Sequence, residues 1–237
     1  MTTTVIDTHR KFKRLGATRS PHRPGPESEL VDWFVESASL KPPRGCCATV
    51  FREPRLASGS PDLVVVYWSR KAAESWRDSR ECLSDSDIRM MQYLVQHGRA
   101  TLDDLQQVFP RNVEASVQRL HDAGMVCRSA GGWRPRSLSR CFAVRDIIAI
   151  EAKISSWASA VEQAFLNTWF ASKSYVLMPR VPRGDRLLTE AASRGLGVWT
   201  REDGRQLEPA GSDGSLPLSY ASWLFNEWAW RAATGRS

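Results

Sequence analysis

No stretch of this chain approaches the roughly 20 consecutive apolar residues that a membrane-crossing helix needs, so no membrane span is expected. The basic N-terminal stretch has no apolar core behind it, which argues against a secretory leader. Cysteine is sparse and odd in number, five residues with no CxxC spacing. Cys46 and Cys47 are adjacent, which suits neither a relaxed disulfide nor a zinc site. All five are expected as free thiols in a reducing cytoplasm. Histidine is scarcer still. His9, His22, His97 and His121 share no metal-ligand spacing. Gly131-Gly132 lacks the Lys-Ser/Thr of a phosphate-binding loop, and no Ser-His or Cys-His nucleophile arrangement stands out. Internal repeats are absent.

What the chain does have is tryptophan and positive charge. Ten Trp in a composition 42% hydrophobic can fill a real core, which excludes wholesale disorder. The length of 237 residues allows one large domain or two small ones. A formal charge of +7 and a pI near 9.5 point to an acidic partner, most simply nucleic acid. Arg10, Lys11, Lys13, Arg14, Arg19 and Arg23 crowd a segment without apolar period, so residues 1–24 are expected as a basic flexible tail. Arg128, Arg134, Arg136 and Arg140 surround the Gly-Gly pair.

Helical periodicity begins at PGPESELVDWFVESASL, with Leu30, Val31, Phe34, Val35 and Ala38 as its stripe. CCATVFRE reads as a strand, and LVVVYW (63–68) as a strand buried on both faces. Residues 84–140 change character. A helix starts at a capping Ser84 and ends at Gly98, a second is capped by Thr101 and stopped by Pro110, and a third ends at Gly124. Two short strands around the Gly-Gly tip follow. Asp103-Asp104 fall in a helical first turn, where acids favour the dipole. Strand character returns at 141–154, then a helix, SSWASAVEQAFLNTWFA, with Trp157, Val161, Ala164, Phe165 and Thr168 as its inward face. SYVLMP, a further helix in GDRLLTEAASRG, a hairpin with a DG turn, and an amphipathic aromatic helix LSYASWLFNEWAWRAA complete the chain.

Within IIAIEAKIS (147–155), Glu151 and Lys153 are two apart and point to one face of a strand. A plain ion pair on an edge strand accounts for that. A second account appears if 84–140 is an insertion. Removing it sets SPDLVVVYW beside AVRDIIAIEAKIS as one hairpin, with Asp62 entering one strand and Glu151 on the other. Two carboxylates so placed can converge on a hard divalent cation, with Lys153 beside them to serve attacking water.

The order SELVDWF helix, strand, SPDLVVV strand, IAIEAKIS strand, SSWASAVEQA helix and SYVLMP strand resembles the PD-(D/E)xK nuclease superfamily over about 27–83 and 141–205. ATLDDLQQVF and VEASVQRLHDAGMV resemble the winged helix-turn-helix superfamily. The resemblance implies an α/β chain: a restriction-endonuclease-like core, αβββαβ with a mixed sheet flanked by helices, from 25–83 and 141–237. An α+β winged helix is inserted over 84–140 as a separate lobe. It further implies a Mg²⁺-dependent deoxyribonuclease, with Mn²⁺ able to substitute. Asp62 and Glu151 hold the metal, Lys153 serves the water, Glu29 (with Glu27 as the alternative) completes the site, and Gln163 faces it from the following helix. Arg128, Arg134, Arg136 and Arg140 are expected to meet nucleic acid, DNA in preference to RNA, in a homodimer or a larger defence or repair assembly in the cytoplasm. The alternatives left open are a catalytically silent nuclease-fold DNA-binding regulator, and a subunit whose winged helix makes protein contacts.

Overall fold

The structure is a computed structural model that describes residues 5–7, 24–38, 40–211 and 215–234. His9, His22 and the cations Arg10, Lys11, Lys13, Arg14, Arg19 and Arg23 lie outside the described residues. The chain is mixed α/β, a mixed sheet with helices packed on both faces. Its strands are β1 (Val5–Asp7), β2 (Cys46–Arg52), β3 (Leu63–Ser69), β6 (Val144–Ala152), β7 (Lys173–Met178), β8 (Gly197–Thr200) and β9 (Arg205–Glu208), side by side in that order. β1 was not expected; it pairs in parallel with β2. β2, β3 and β6 form an antiparallel meander, whereas β6, β7 and β8 run parallel.

The burial of β3 on both faces follows from its unbroken β-branched run. Leu63, Val65 and Tyr67 pack with Leu30, Val31 and Phe34 of α1 (Pro26–Ser37). Val64, Val66 and Trp68 face the other way, toward α9 (Tyr220–Thr234). α7 (Trp157–Asn167) crosses from β6 to its parallel neighbour β7, and α8 (Arg186–Ser193) from β7 to β8, as parallel strands require. Both pack on the same sheet face over Val176, Met178 and Val198.

Two sequence expectations change here. The inward face of α7 is Ala160, Val161, Ala164 and Asn167, while Phe165 is 45% exposed. The small residues win because the helix lies close on the sheet. α9 is not amphipathic in place, since every residue from Ala221 to Trp230 is buried. It lies between the sheet and the segment joining β3 to β6, so both of its sides are covered; Phe225 meets Phe51 at 5.4 Å between ring centroids.

That joining segment holds α2 (Arg70–Ala73), a 3₁₀ turn at Asp78–Cys82, α3 (Asp85–His97), α4 (Leu102–Val108), α5 (Val113–Asp122), the ribbon β4 (Val126–Ser129) and β5 (Gly132–Pro135), and α6 (Leu138–Cys141). Ser84 and Thr101 cap α3 and α4 through reciprocal bonds with Asp87 and Asp104. Gly132 sits at φ 147°, and a Cβ there would lie 2.4 Å from the Ala100 carbonyl oxygen. Only glycine allows this approach, which lets Trp133 bridge to Ala100. The segment does not close a core of its own. Ile88, Met91, Leu94, Leu105, Val117 and Leu120 belong to one continuous cluster with Val64, Val66 and α9. Of the described helices, none is long and apolar enough to cross a membrane.

Candidate active site

β3 and β6 pair antiparallel with Leu63 opposite Ile150 and Val65 opposite Ile148. This register sets the start of β3 beside the end of β6. Asp62, just before β3, accepts a hydrogen bond of 2.8 Å on Oδ2 from the backbone N–H of Ala152. Glu151 lies on the α7 side of β6 and is only 5% exposed. Its Oε1 accepts a 2.7 Å bond from Asn167 Nδ2 at the end of α7. Lys153 stands one residue past the strand, its N–H donating 3.0 Å to the Leu177 carbonyl of β7. Its ammonium reaches Glu27 Oε2 of α1 at 3.2 Å. α1, the start of β3 and the end of β6 thus bring Glu27, Asp62, Glu151 and Lys153 together.

The plain ion-pair account of Glu151 and Lys153 fails on this geometry. β6 is an interior strand between β3 and β7, not an edge. Glu151 is paired with an amide and Lys153 with a different carboxylate. The two carboxyls instead form a like-charge pair. Burial raises the Asp62 pKa, against the pull of the Ala152 N–H and of Lys153, with Glu27 adding to the rise. Burial also drives Glu151 up to about 8, reinforced by the Asp62 charge and opposed by Asn167 and Lys153. Carboxyls that repel in a low-dielectric pocket titrate as a pair, and burial together with mutual repulsion holds this pair toward the protonated side.

Such a pair is short of positive charge. Its donors are hard oxygens, the ligand type that Mg²⁺ takes, so Asp62 and Glu151 fit a divalent cation. Among the described residues no group of three or more His, Cys, Asp or Glu side chains is placed to hold a metal; a Mg²⁺ ion that keeps several waters needs only one or two carboxylates.

The other expected site residues divide. Glu27, and not Glu29, touches the cluster; Glu29 is exposed on α1. Gln163 is exposed on the flank of α7 and hydrogen-bonds to neither carboxylate, whereas Asn167, one turn further on, holds Glu151. The expected polar residue on this helix is therefore present four positions later. Arg128 is exposed, its guanidinium 5.6 Å from the Trp133 ring centroid. Arg134 and Arg140 are exposed and Arg136 half-buried. All four lie with the segment that leaves the sheet at Ser69 and returns at Val144, the opposite end of β6 from Glu151. Seven residue steps at about 3.3 Å make that separation about 23 Å. The five cysteines are free.

No family model, curated protein or solved structure matches this chain.

Proposed function

We propose that this protein is a metal-dependent nuclease of the PD-(D/E)xK type, hydrolysing phosphodiester bonds in DNA. The observation that carries the reading is the buried Asp62–Glu151 pair at the junction of two antiparallel strands, with Lys153 beside it and, among the described residues, no ion pair to either carboxylate. A buried like-charge pair is costly unless it serves a ligand. Asp62 is held by the Ala152 N–H and Glu151 by Asn167, so both carboxylates are fixed before anything binds. A bound Mg²⁺ would neutralise phosphate charge and acidify a water. Lys153 is placed to orient the attacking water and stabilise negative charge developing on the phosphate, and Glu27 keeps its ammonium in place. The restriction-endonuclease-like core is the reading that the αβββαβ order supports, and a winged helix is the reading of the three helices and ribbon between β3 and β6.

A second reading of that inserted segment has its own observation. The outer faces of α4 and α5 expose Asp103, Asp104, Glu114 and Asp122. Arg119 on α5 is spent on Asp87 through two bonds of 2.8 Å. A face of this sign repels phosphates, so these helices suit a protein contact while the ribbon arginines remain the basic part of the segment. The test of the main reading is cleavage of plasmid and single-stranded DNA in Mg²⁺ or Mn²⁺. Wild type should cut and Asp62→Ala should not. Lys153→Met should bind metal by calorimetry yet turn over poorly. A folded Asp62→Ala protein that cuts at the wild-type rate overturns the assignment.

A further inference from the structure

The arginines around the Gly-Gly ribbon stand at the wrong end of the sheet to hold a phosphate at the carboxylate pair. The cations at the right end are others. β7 pairs with β6 so that Ala152 lies opposite Leu177, whose carbonyl receives the Lys153 N–H. Arg180 is three residues beyond Leu177, within about 10 Å of chain. It lies in the stretch Pro179-Arg180-Val181-Pro182-Arg183-Gly184-Asp185 that leads to Arg186 at the start of α8, three arginines against one acid. Arg180, Arg183 and Arg186 are all exposed and form no ion pair among the described residues. Arg201 is brought alongside by its own backbone: its N–H donates 3.0 Å to the Met178 carbonyl, and the Glu202 N–H donates 2.9 Å to that of Pro179. Arg201 is exposed, with its guanidinium 5.9 Å from the Trp33 ring of α1.

We infer that the β7–α8 loop, through Arg180 and Arg183 with Arg201 beside them, is the surface that holds the sugar–phosphate backbone of nucleic acid next to the carboxylate pair. The inference rests on the nuclease reading for its substrate. Three features support it. The loop sits at the carboxyl ends of the parallel strands, where open α/β sheets receive ligands. Its guanidiniums are left without carboxylates, although arginine is the side chain best matched to phosphate. Pro179 and Pro182 fix two φ angles and reduce the entropy lost on presenting the arginines. The ribbon arginines belong to the segment that joins the sheet at Val144, and Val144 itself is about 23 Å along β6 from Glu151, so they are a separate group of cations from the loop.

The experiment measures binding of a duplex of about 30 base pairs in Ca²⁺, with intact substrate verified, across a salt series. Arg180→Ala/Arg183→Ala should bind at least tenfold more weakly than wild type. Its log K against log salt slope should be shallower by about 1.8, two phosphate contacts at about 0.9 each. Arg180→Lys/Arg183→Lys, which keeps the charge, should restore the slope. Both substitutions are on exposed side chains, and an unchanged melting temperature verifies folding. A loop variant with wild-type affinity and slope overturns the inference, as does a wild type that binds no DNA. Cleavage in Mg²⁺ by wild type beside Asp62→Ala separates the two readings. Lost binding in the loop variant with no cutting by wild type leaves the surface standing and removes the nuclease. Metal-dependent cutting with normal binding by the loop variant does the reverse.

Discussion

The two ends of the β3–β6 hairpin both bury charge, and they treat it in opposite ways. At the Ser69–Val144 end, Arg80 and Glu227 are each 1% exposed and bonded to one another, with Arg80 Nε donating 3.1 Å to Glu227 Oε2. Arg80 also donates 2.9 Å to the Cys141 carbonyl and lies 3.5 Å from the Trp76 ring centroid. Asn226 accepts from the Ala143 N–H at 2.8 Å and donates to Glu227 at 2.9 Å. Arg231 donates to the carbonyls of Arg80 and Leu83. The fully buried Arg80 and Glu227 neutralise each other there, and α9 thereby fastens both chain crossings of the inserted segment. At the Asp62–Ala152 end, burial and mutual repulsion raise the pKa of both Asp62 and Glu151. The first arrangement holds a carboxylate against a guanidinium, whereas the second has no ion pair to either carboxylate among the described residues. Burial alone therefore does not mark a functional charge, and the proposed site rests on burial without a paired counter-charge.

The sharpest way to break this contrast is by stability, and it carries the largest expected effect. Glu227→Ala leaves the Arg80 guanidinium buried and unpaired and should cost about 3–5 kcal/mol, read by denaturant unfolding. Glu151→Gln removes a charge that the metal-free fold disfavours, and it should raise the melting temperature in EDTA while abolishing cutting. Stability and activity then move in opposite directions, as they do where a site holds strain for its function. If Glu151→Gln destabilises the metal-free protein as Glu227→Ala does, the two ends are alike and Glu151 is structural.

pH sharpens the same contrast. The folded pKa of Glu151 lies at about 8 against an ordinary value of 4.5, and that of Asp62 is raised as well. Between those values the folded protein keeps a proton that the unfolded chain releases. Stability contributed by the protonated pair is present below about pH 4.5 and is lost as pH rises toward 8, by at most about 1.4 kcal/mol per pH unit for one group. Cation binding needs the proton gone, so Mg²⁺ affinity should rise over the same window. Melting curves should show a Mg²⁺-induced gain that is larger at pH 8 than at pH 6. Glu151→Gln should flatten both trends. A Mg²⁺ gain equal at both pH values, or one retained in Glu151→Gln, places any bound cation elsewhere.

Much of the hairpin was legible because its signals are local. LVVVYW is too β-branched for a helix, and SPD and EAK carry oppositely charged groups at strand ends, where they are rare without a partner. The antiparallel register then followed from treating 84–140 as an insertion. The helical side chains were misread where residue type outweighed period. On α1 the buried stripe is Leu30, Val31 and Phe34, and stepping back three residues from Leu30 gives Glu27, with Glu29 about 100° off that line. On α7 the stripe Ala160, Ala164 points on to Asn167, an amide in a row of small apolar residues. Choosing Phe165 as inward because it is apolar turned the helix away from that face. The burial of α9 on both sides was not legible at all, since its second cover is a segment some hundred residues earlier in the chain.

The smallest expected effect settles which acid of α1 belongs to the site. Glu27 is 46% exposed and Lys153 18% exposed in their 3.2 Å pair, so screening by solvent keeps its contribution to stability within about 0–1 kcal/mol. Glu27→Gln should therefore scarcely move the melting temperature. Its effect should appear in turnover, because Lys153 loses the carboxylate that fixes its ammonium beside Asp62 and Glu151. Glu29 is exposed and outside the cluster, and Glu29→Gln should match wild type in melting, metal affinity and cutting alike. Melting curves, calorimetric Mg²⁺ titration and cleavage on the two variants give the comparison directly. A defect in Glu29→Gln with a normal Glu27→Gln would mean that α1 turns when substrate binds, bringing the other carboxylate to Lys153.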